Sequence, residues 1–229
     1  MIKFFFLLVL FNLQVAAIEA YSFQVPVFTY ESLPEYYFKT VSKDDLCQHK
    51  RIVIYGIRAY REARNIDCPQ QLRLIAGILY VSEVYDPKHI YLSPLPHPKL
   101  LRSYGEAFVV FYSSFLEFYV EKLRTDLTIR AIRVNSAYEL EREFQKGLGL
   151  NFTLLLLPDP LMFDPKSQSI LRYWLKNNPK IEVADLAGLD LPVSNKVVIR
   201  IPKEKYWIFL REKYMDHQVK RGHVYFFGE

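Results

Sequence analysis

The chain has 229 residues, of which 51% are hydrophobic and 24% are charged. This composition is typical of a globular protein with one large domain or two small lobes, and it excludes disordered and low-complexity classes. The formal net charge of +5 comes from 30 basic and 25 acidic residues, which are interspersed along the chain. Because no long basic block stands out, charge does not indicate nucleic-acid binding, and we expect no nucleic-acid partner.

Residues 1–20 form a segment of their own. Lys3 gives a positive start, the stretch 4–15 is largely apolar, and the stretch 16–20 supplies small residues suited to cleavage. This pattern is typical of a secretory signal peptide, and the apolar run is short for a membrane anchor, which is the alternative and needs roughly 20 apolar residues. We therefore predict an exported or periplasmic protein that is soluble after cleavage of residues 1–20.

From residue 21 onward, short apolar runs alternate with helical periods. One short strand is predicted within 21–45, and the remaining predicted strands are 51–56, 72–81, 88–93, 107–112, 127–134, 152–157, 181–184, 197–201 and 224–227. The predicted helices are 59–64, 114–123, 136–146, 164–174 and 203–214. Strands that alternate with helices of this length indicate βαβ units and a parallel sheet.

Three prolines, Pro94, Pro96 and Pro98, are predicted to exclude a strand or helix interior and to mark a crossing between two groups of these units. The fold class is therefore predicted to be α/β with two lobes. The first lobe would comprise residues 21–104, completed by 189–229, and the second lobe would comprise residues 105–188.

Motifs for the commonest cofactor and hydrolase chemistries are missing. The sequence has no P-loop, no dinucleotide fingerprint and no nucleophile elbow. The five histidines show no metal-ligand spacing, and two cysteines 21 residues apart cannot form a structural zinc site. We therefore predict no catalytic residue, no metal and no cofactor, and a protein that is not an enzyme. An exported enzyme of another type is the weaker alternative.

Two carboxylates follow the most apolar predicted strand, 152–157. Asp159 and Asp164 lie where ligands bind in open α/β sheets, at the carboxyl end of a parallel strand. Asp159 could therefore accept a hydrogen bond from a ligand. The alternative, a turn residue and a helix N-cap, is favoured because Asp159 stands between two prolines and Asp164 directly precedes one.

The segment FTLLLLPDP at 152–160 and the strand with a Gly-x-x-Ala turn at 52–60 are the most distinctive stretches of the chain. With the strand and helix order of residues 106–188, they resemble ABC-transporter substrate-binding proteins with a type 1 periplasmic-binding-protein fold. Better-known members of that family bind aromatic or other hydrophobic amino acids. The resemblance implies two Rossmann-like lobes. The family's first βα unit is absent or replaced by residues 21–45, so we expect a shortened first lobe.

The resemblance implies a solute-binding protein of an ABC-type uptake system, which closes two lobes by a hinge over a small molecule such as an amino acid and presents it to a membrane permease. The candidate ligand contacts lie in loops after strands, and they are Tyr60, Ser82, Tyr85, Tyr112, Ser113, Ser114 and Asp159. For each tyrosine, ordinary packing is the alternative. The second hypothesis is a degenerate module without a small ligand, an interaction or sensor partner of another envelope protein, which the shortened lobe and the aromatic tail at 225–227 favour.

Cys47 and Cys68 each precede a predicted strand of the first lobe. Neighbouring parallel strands begin side by side about 5 Å apart, and a disulfide needs Cα atoms within about 7 Å of each other. We therefore predict a Cys47–Cys68 disulfide, which an exported protein can retain. Two buried thiols are the alternative.

Overall fold

The computed structural model describes residues 24–29, 31–148 and 151–229. The predicted signal peptide lies outside these ranges. None of the helices within them combines the length and the hydropathy that a bilayer crossing requires.

Two sheets organise the described chain, and all paired strands in both run parallel. The first sheet contains β1 Val25–Thr29, β2 Phe38–Thr40, β3 Arg51–Tyr55, β4 Leu72–Ala76, β5 Ile90–Pro96 and β11 Val224–Phe227. The second contains β6 Ala107–Tyr112, β7 Thr128–Arg133, β8 Thr153–Leu156, β9 Glu182–Asp185 and β10 Lys196–Val198.

The two sheets share one strand order. The first is β2-β1-β3-β4-β5 extended by β11, and the second is β7-β6-β8-β9-β10. Each sheet therefore repeats the doubly wound order in which the first strand lies second from the edge. The predicted α/β class with two lobes of parallel sheet is confirmed. Strand β10 pairs with β9, so the second sheet continues past the predicted lobe boundary at residue 188.

Helices cover the faces of both sheets. They are α1 Ile57–Ala63, α2 Glu117–Asp126, α3 Ala137–Gln145, α4 Pro160–Phe163, α5 Pro165–Asn177 and α6 Lys203–Met215. Short 3₁₀ helices lie at Leu46–Gln48, Val81–Glu83, Pro98–Tyr104 and Ser114–Leu116. Helices α1 and α6 cover opposite faces of the first sheet, whereas α3 and α5 cover one face of the second sheet and α2 the other.

Side-chain caps start three of these helices, and those of α3 and α5 were predicted from the sequence. Ser136 Oγ accepts a hydrogen bond from the backbone N–H of Glu139 at 3.2 Å, as the predicted capping pattern requires. The Glu139 carboxylate reaches back to the N–H of Asn135 at 2.8 Å, one residue earlier than in a standard capping box. Asp164 caps α5 by accepting from the N–H of Ser167 at 2.8 Å, so its N-cap interpretation is confirmed.

The prediction that Pro94, Pro96 and Pro98 exclude a strand interior is wrong for the first two. Pro94 and Pro96 lie inside β5, where a strand interior had been excluded. The pairing with β4 ends at Leu92, so the two prolines lie beyond the point at which β4 needs donors from β5. The other neighbour, β11, shifts its register at this place. An irregular strand end of this kind tolerates proline.

The start of the first lobe differs from the prediction of a single strand. Both β1 and β2 form, and they pair in parallel over Val25–Val27 and Phe38–Thr40. Only eight residues separate them, and residues 31–37 contain no helix. The expected shortening of the first lobe is therefore a missing crossover helix rather than a missing strand.

The predicted disulfide is confirmed. Cys47 lies in the 3₁₀ helix before β3 and Cys68 lies before β4, with their Cα atoms 5.4 Å apart. Strands β3 and β4 are neighbours in the sheet, so their adjacent starts bring the two cysteines together.

Candidate functional site

A cleft of about 450 Å³ lies between the lobes, at the carboxyl ends of strands from both sheets. Tyr55, Gly77 and the 94–96 segment contribute from the ends of β3, β4 and β5. Pro158 and the 199–201 segment contribute from beyond β8 and β10. The apolar part of the lining also includes Leu79 and Leu186. Ligands of doubly wound sheets bind at this end of the strands, so the cleft is the candidate site.

One wall of the cleft is built around Gly77, whose φ of +68° lies in the left-handed region. A Cβ placed on Gly77 would lie 2.9 Å from the ring of Tyr55, so only glycine lets that ring pack here. The Gly77 N–H donates to the Tyr206 hydroxyl at 3.1 Å, and that hydroxyl donates to the carbonyl of Leu92 at 2.6 Å. The wall is thereby fixed by hydrogen bonds between β4, β5 and α6.

Both wall tyrosines stay neutral at ordinary pH. Burial raises the pKa of the Tyr206 hydroxyl far above its usual value. Burial also raises the pKa of Tyr55, and the nearby carboxylate of Glu31 raises it further. The cleft therefore offers two uncharged aromatic rings rather than a phenolate.

The charged part of the lining is positive. Arg200 and Lys203 lie where the chain crosses from β10 to α6, and both side chains are exposed. Among the residues that the structure describes, neither side chain has a hydrogen bond or an ion pair. The two cations are thus available to an anionic group in the cleft.

A second part of the lobe interface, next to the cleft, is filled, and we call it the sealed side. It joins the segment 80–85 of the first lobe to the segment 115–119 of the second. Tyr80 donates to the Pro158 carbonyl at 3.0 Å, and its ring lies 5.5 Å from that of Phe115. Ser82 Oγ donates to the Phe115 carbonyl at 2.9 Å.

Aromatic packing extends the sealed side into a core that both lobes share. The Tyr119 hydroxyl donates to the Pro96 carbonyl at 2.8 Å, and its ring lies 5.2 Å from that of Phe226 in β11. Tyr119 is 2% exposed and Phe226 is 4% exposed. Nearer the surface, the rings of Tyr85 and Phe118 pack in a tilted arrangement with their centres 4.8 Å apart. The two lobes are therefore joined by buried apolar contact as well as by chain crossings.

None of the seven predicted contact residues lines the cleft. Ser82 and Tyr85 belong to the sealed side. Tyr60 lies within α1, is buried, and donates to the Val84 carbonyl at 2.8 Å. Tyr112 is buried beneath Arg124, whose guanidinium lies 5.9 Å from the ring centre. Ser114 is exposed at the start of a 3₁₀ helix.

Ser113 and Asp159 meet at the point where the strand order of the second sheet reverses, between β6 and β8. The fully buried Asp159 Oδ2 accepts from the N–H and the hydroxyl of Ser113, at 2.7 and 2.9 Å. Its Oδ1 accepts from the Leu161 N–H at 3.0 Å and caps α4. Asp159 is therefore the N-cap of the short helix α4, and both of its oxygens are occupied within the protein.

Cleft residues that were not predicted from the sequence include Tyr55, Gly77, Arg200, Lys203 and Tyr206. A usable signal existed for two of them, because Arg200 and Lys203 flank Ile201-Pro202 at the end of a predicted strand. In the described part of the chain, no group of three or more His, Cys, Asp or Glu side chains could hold a metal ion.

No protein-family model matches the sequence, and no curated protein matches it significantly. Solved structures do show similarity at low identity. The ligand-free, open structure of CD0873 from Clostridium difficile, a substrate-binding protein with adhesive properties, is 14% identical, with a TM-score of 0.45 over 84% of this chain and 77% of that one. An ABC domain in complex with L-Trp from Streptococcus pneumonia is 13% identical, with a TM-score of 0.42 over 83% and 78%. A conserved domain protein from Vibrio cholerae is 11% identical, with a TM-score of 0.36 over 66% and 61%.

Proposed function

We propose that this chain is an exported solute-binding protein of an ABC-type uptake system, which holds a small molecule between its two lobes. The observation that carries the proposal is the cleft at the facing carboxyl ends of β3 to β5 and β8 to β10. Its volume of about 450 Å³ falls within the range of small-molecule sites. A membrane permease is the partner that would receive the solute.

The lining favours a small organic acid with an apolar or aromatic part, and an amino acid meets this description. Tyr55 and the aliphatic side chains supply apolar surface, and Arg200 and Lys203 supply positive charge for a carboxylate. An ion pair between a carboxylate and a guanidinium is strong when the solute is desolvated. Closure of the lobes around the sealed side would bring the two halves of the lining together on the solute.

A second candidate function is an envelope interaction or sensor module without a small ligand. The sealed side favours this function, because Tyr80, Ser82 and Tyr85 of the first lobe already contact residues of the second lobe. A lobe pair fixed in this way needs no solute to hold its shape. The two functions therefore differ in whether the cleft is occupied.

The decisive experiment is a binding screen on protein beginning at residue 21, with thermal shift followed by calorimetry against amino acids and other small carboxylic acids. A solute at about 100 times its Kd stabilises the folded state by about 2.7 kcal/mol, which is several degrees in Tm. The double variant Arg200→Gln/Lys203→Gln should weaken binding about tenfold or more, because it removes charge-assisted contacts.

The matched control is Lys166→Gln/Lys180→Gln, which removes the same two charges from exposed positions of the second lobe. The control should bind the solute as tightly as the wild-type protein does. Small-angle scattering should show a smaller radius of gyration with solute if the lobes close. A flat screen would overturn the solute-binding proposal and leave the interaction module, which a pull-down from envelope extracts would then examine.

A further inference from the structure

A second cavity, of about 620 Å³, lies at the opposite end of the first sheet from the cleft. It is lined where strands begin: Cys68 and Gln71 precede β4, His89 precedes β5 and Arg221 precedes β11. These strands are neighbours and run parallel, so their starts lie at one edge of the sheet. We call this cavity the amino-edge pocket.

The floor of the pocket carries a buried positive charge. Arg73 is only 6% exposed. Its guanidinium donates to the Gln71 side-chain oxygen at 2.8 Å, to the Ala63 carbonyl at 2.8 Å and to the Ile66 carbonyl at 2.6 Å. All three acceptors are neutral, and among the described residues no carboxylate lies within 4 Å of the Arg73 guanidinium. Ala63 ends α1, so Arg73 also caps that helix.

The side chain of Gln71 holds the Arg73 guanidinium in place. Gln71, which accepts from Arg73, donates through its amide nitrogen to the Leu46 carbonyl at 2.5 Å and the His49 carbonyl at 2.8 Å. These two carbonyls flank Cys47, which the disulfide ties to Cys68 in the pocket lining. The guanidinium is thus preorganised, and an ion that binds it pays little ordering entropy.

The rim of the pocket adds three further cations. Arg64, Lys88 and Arg221 are exposed, and none of their charged groups has a hydrogen bond or an ion pair with a described residue. Two carboxylates oppose the four cations. Asp86 accepts from the Lys88 N–H at 2.8 Å, and Asp67 lies on the Arg73 side of the pocket.

His89 adds no charge to the pocket at pH 7. Burial lowers the pKa of His89, so its imidazole is neutral at pH 7. The lining therefore keeps two more positive than negative charges.

We propose that the amino-edge pocket binds an oxyanion, namely a phosphate or sulfate group, either free or as a monoester. The buried guanidinium bonds only to neutral acceptors and has no carboxylate in direct contact, and planar guanidinium groups bind such oxyanions in paired hydrogen bonds. The three rim cations match a divalent rather than a monovalent anion. The cavity is larger than one phosphate group, so the organic part of an ester fits within it. The site is separate from the cleft and does not depend on the solute-binding proposal.

The test is calorimetric titration of the wild-type protein with sodium phosphate, sodium sulfate and phenyl phosphate, at constant ionic strength set with sodium chloride. We expect saturable binding of all three, and Lys88→Gln/Arg221→Gln should weaken it about tenfold or more. Substitution of Arg73 endangers folding because Arg73 caps α1, so the rim variant carries the test. Lys166→Gln/Lys180→Gln, with the same loss of charge in the second lobe, should bind as the wild-type protein does.

The outcomes separate the interpretations. Tighter binding of phenyl phosphate than of inorganic phosphate would identify a monoester as the ligand, and equal binding would identify the free ion. The proposal is overturned if no saturable binding is found, because Arg73 then acts only as a helix cap. It is equally overturned if the control variant weakens binding as much as the rim variant does, since the effect is then general screening.

Discussion

The two sides of the lobe interface are built from the same strand ends but have opposite characters. On the sealed side, turns after β4 and β6 carry Tyr80 and Phe115 across the interface, and Tyr119 packs on Phe226. On the cleft side, the strands end in Gly77 and in prolines, whose small or rigid side chains leave a hollow. The comparison indicates that aromatic side chains which cross between the lobes close one side of the interface. On the other side the rings of Tyr55 and Tyr206 pack within the first lobe and leave the cleft open.

The largest expected effect comes from Phe226→Ala on the sealed side. Truncation of a buried phenylalanine costs about 3–5 kcal/mol. If the sealed side joins the lobes into one cooperative unit, loss of the Phe226 ring should also make the two lobes unfold in separate transitions. The chain offers one tryptophan in each lobe as a probe, Trp207 in α6 and Trp174 in α5. Urea unfolding of two single-tryptophan proteins, Trp174→Phe and Trp207→Phe, would follow the lobes separately.

Phe227→Ala is the matched control for Phe226→Ala. Phe227 lies in the same strand but packs against Phe209 of α6 at 5.8 Å, within the first lobe. It should destabilise the first lobe without loosening the interface. Transitions that separate with Phe226→Ala but stay together with Phe227→Ala would support the coupling role of the sealed side. If the two single-tryptophan proteins already show different unfolding transitions while Phe226 and Phe227 are both intact, the sealed side does not couple the lobes.

The disulfide gives the next largest effect and examines the same coupling from a distance. Cys47 and Cys68 enclose about 20 residues in the first lobe, so Cys47→Ser/Cys68→Ser should cost about 3 kcal/mol through the entropy of the unfolded chain. If the lobes unfold together, Trp174 in the second lobe should report the same loss as Trp207. An unshifted Trp174 transition would show that the sealed side does not couple the lobes.

The smallest expected effect is a decline of the folded state's stability at high pH, to which one tyrosine on the sealed side and one at the cleft should both contribute. Burial raises the pKa of Tyr119 on the sealed side and of Tyr206 at the cleft. A raised pKa means that the folded state holds the phenolic proton above about pH 10, where the unfolded state releases it. Stability is therefore full below about pH 10 and falls as pH rises, by up to about 1.4 kcal/mol per pH unit for each group.

The variants Tyr119→Phe and Tyr206→Phe separate these two contributions. Each should make the decline between about pH 10 and 11 less steep, because one titrating group is removed. Each should also lower the stability at pH 8 by about 1 kcal/mol through the lost hydrogen bonds. Urea unfolding over this pH range measures both quantities. An unchanged slope in either variant would mean that its hydroxyl ionises in the folded protein as it does in the unfolded chain.

The sequence carried most of the architecture because strand and helix periods are local signals. The parallel sheets and the order of elements could be predicted for this reason. The disulfide could be predicted because each cysteine precedes a strand, and the two strands are neighbours in the sheet. The strand through Pro94 and Pro96 could not, because its tolerance of proline depends on where β4 stops pairing. The split of residues 25–40 into two strands was missed because no helix separates them.

The cleft was harder to predict than the fold. Side chains after strands were taken as ligand contacts, but several of those loops turned toward the sealed side or into a lobe. Ser82 illustrates this, because its hydroxyl is occupied by the Phe115 carbonyl. Tyr206 reaches the cleft from a helix 114 residues beyond its partner Leu92. No local pattern reveals contacts of that separation.

Strand β11 has a consequence for the order in which the protein folds. Residues 224–227 pair with β5, and Phe226 enters the core shared by the lobes. The first sheet, whose other strands are all made before residue 97, therefore lacks its last strand until the second lobe has been synthesised. The first lobe cannot finish folding before the second lobe has been made, because β11 of its sheet follows the second lobe in the chain. A nascent chain would thus emerge with β5 as an open edge, a surface that needs protection from pairing with other chains.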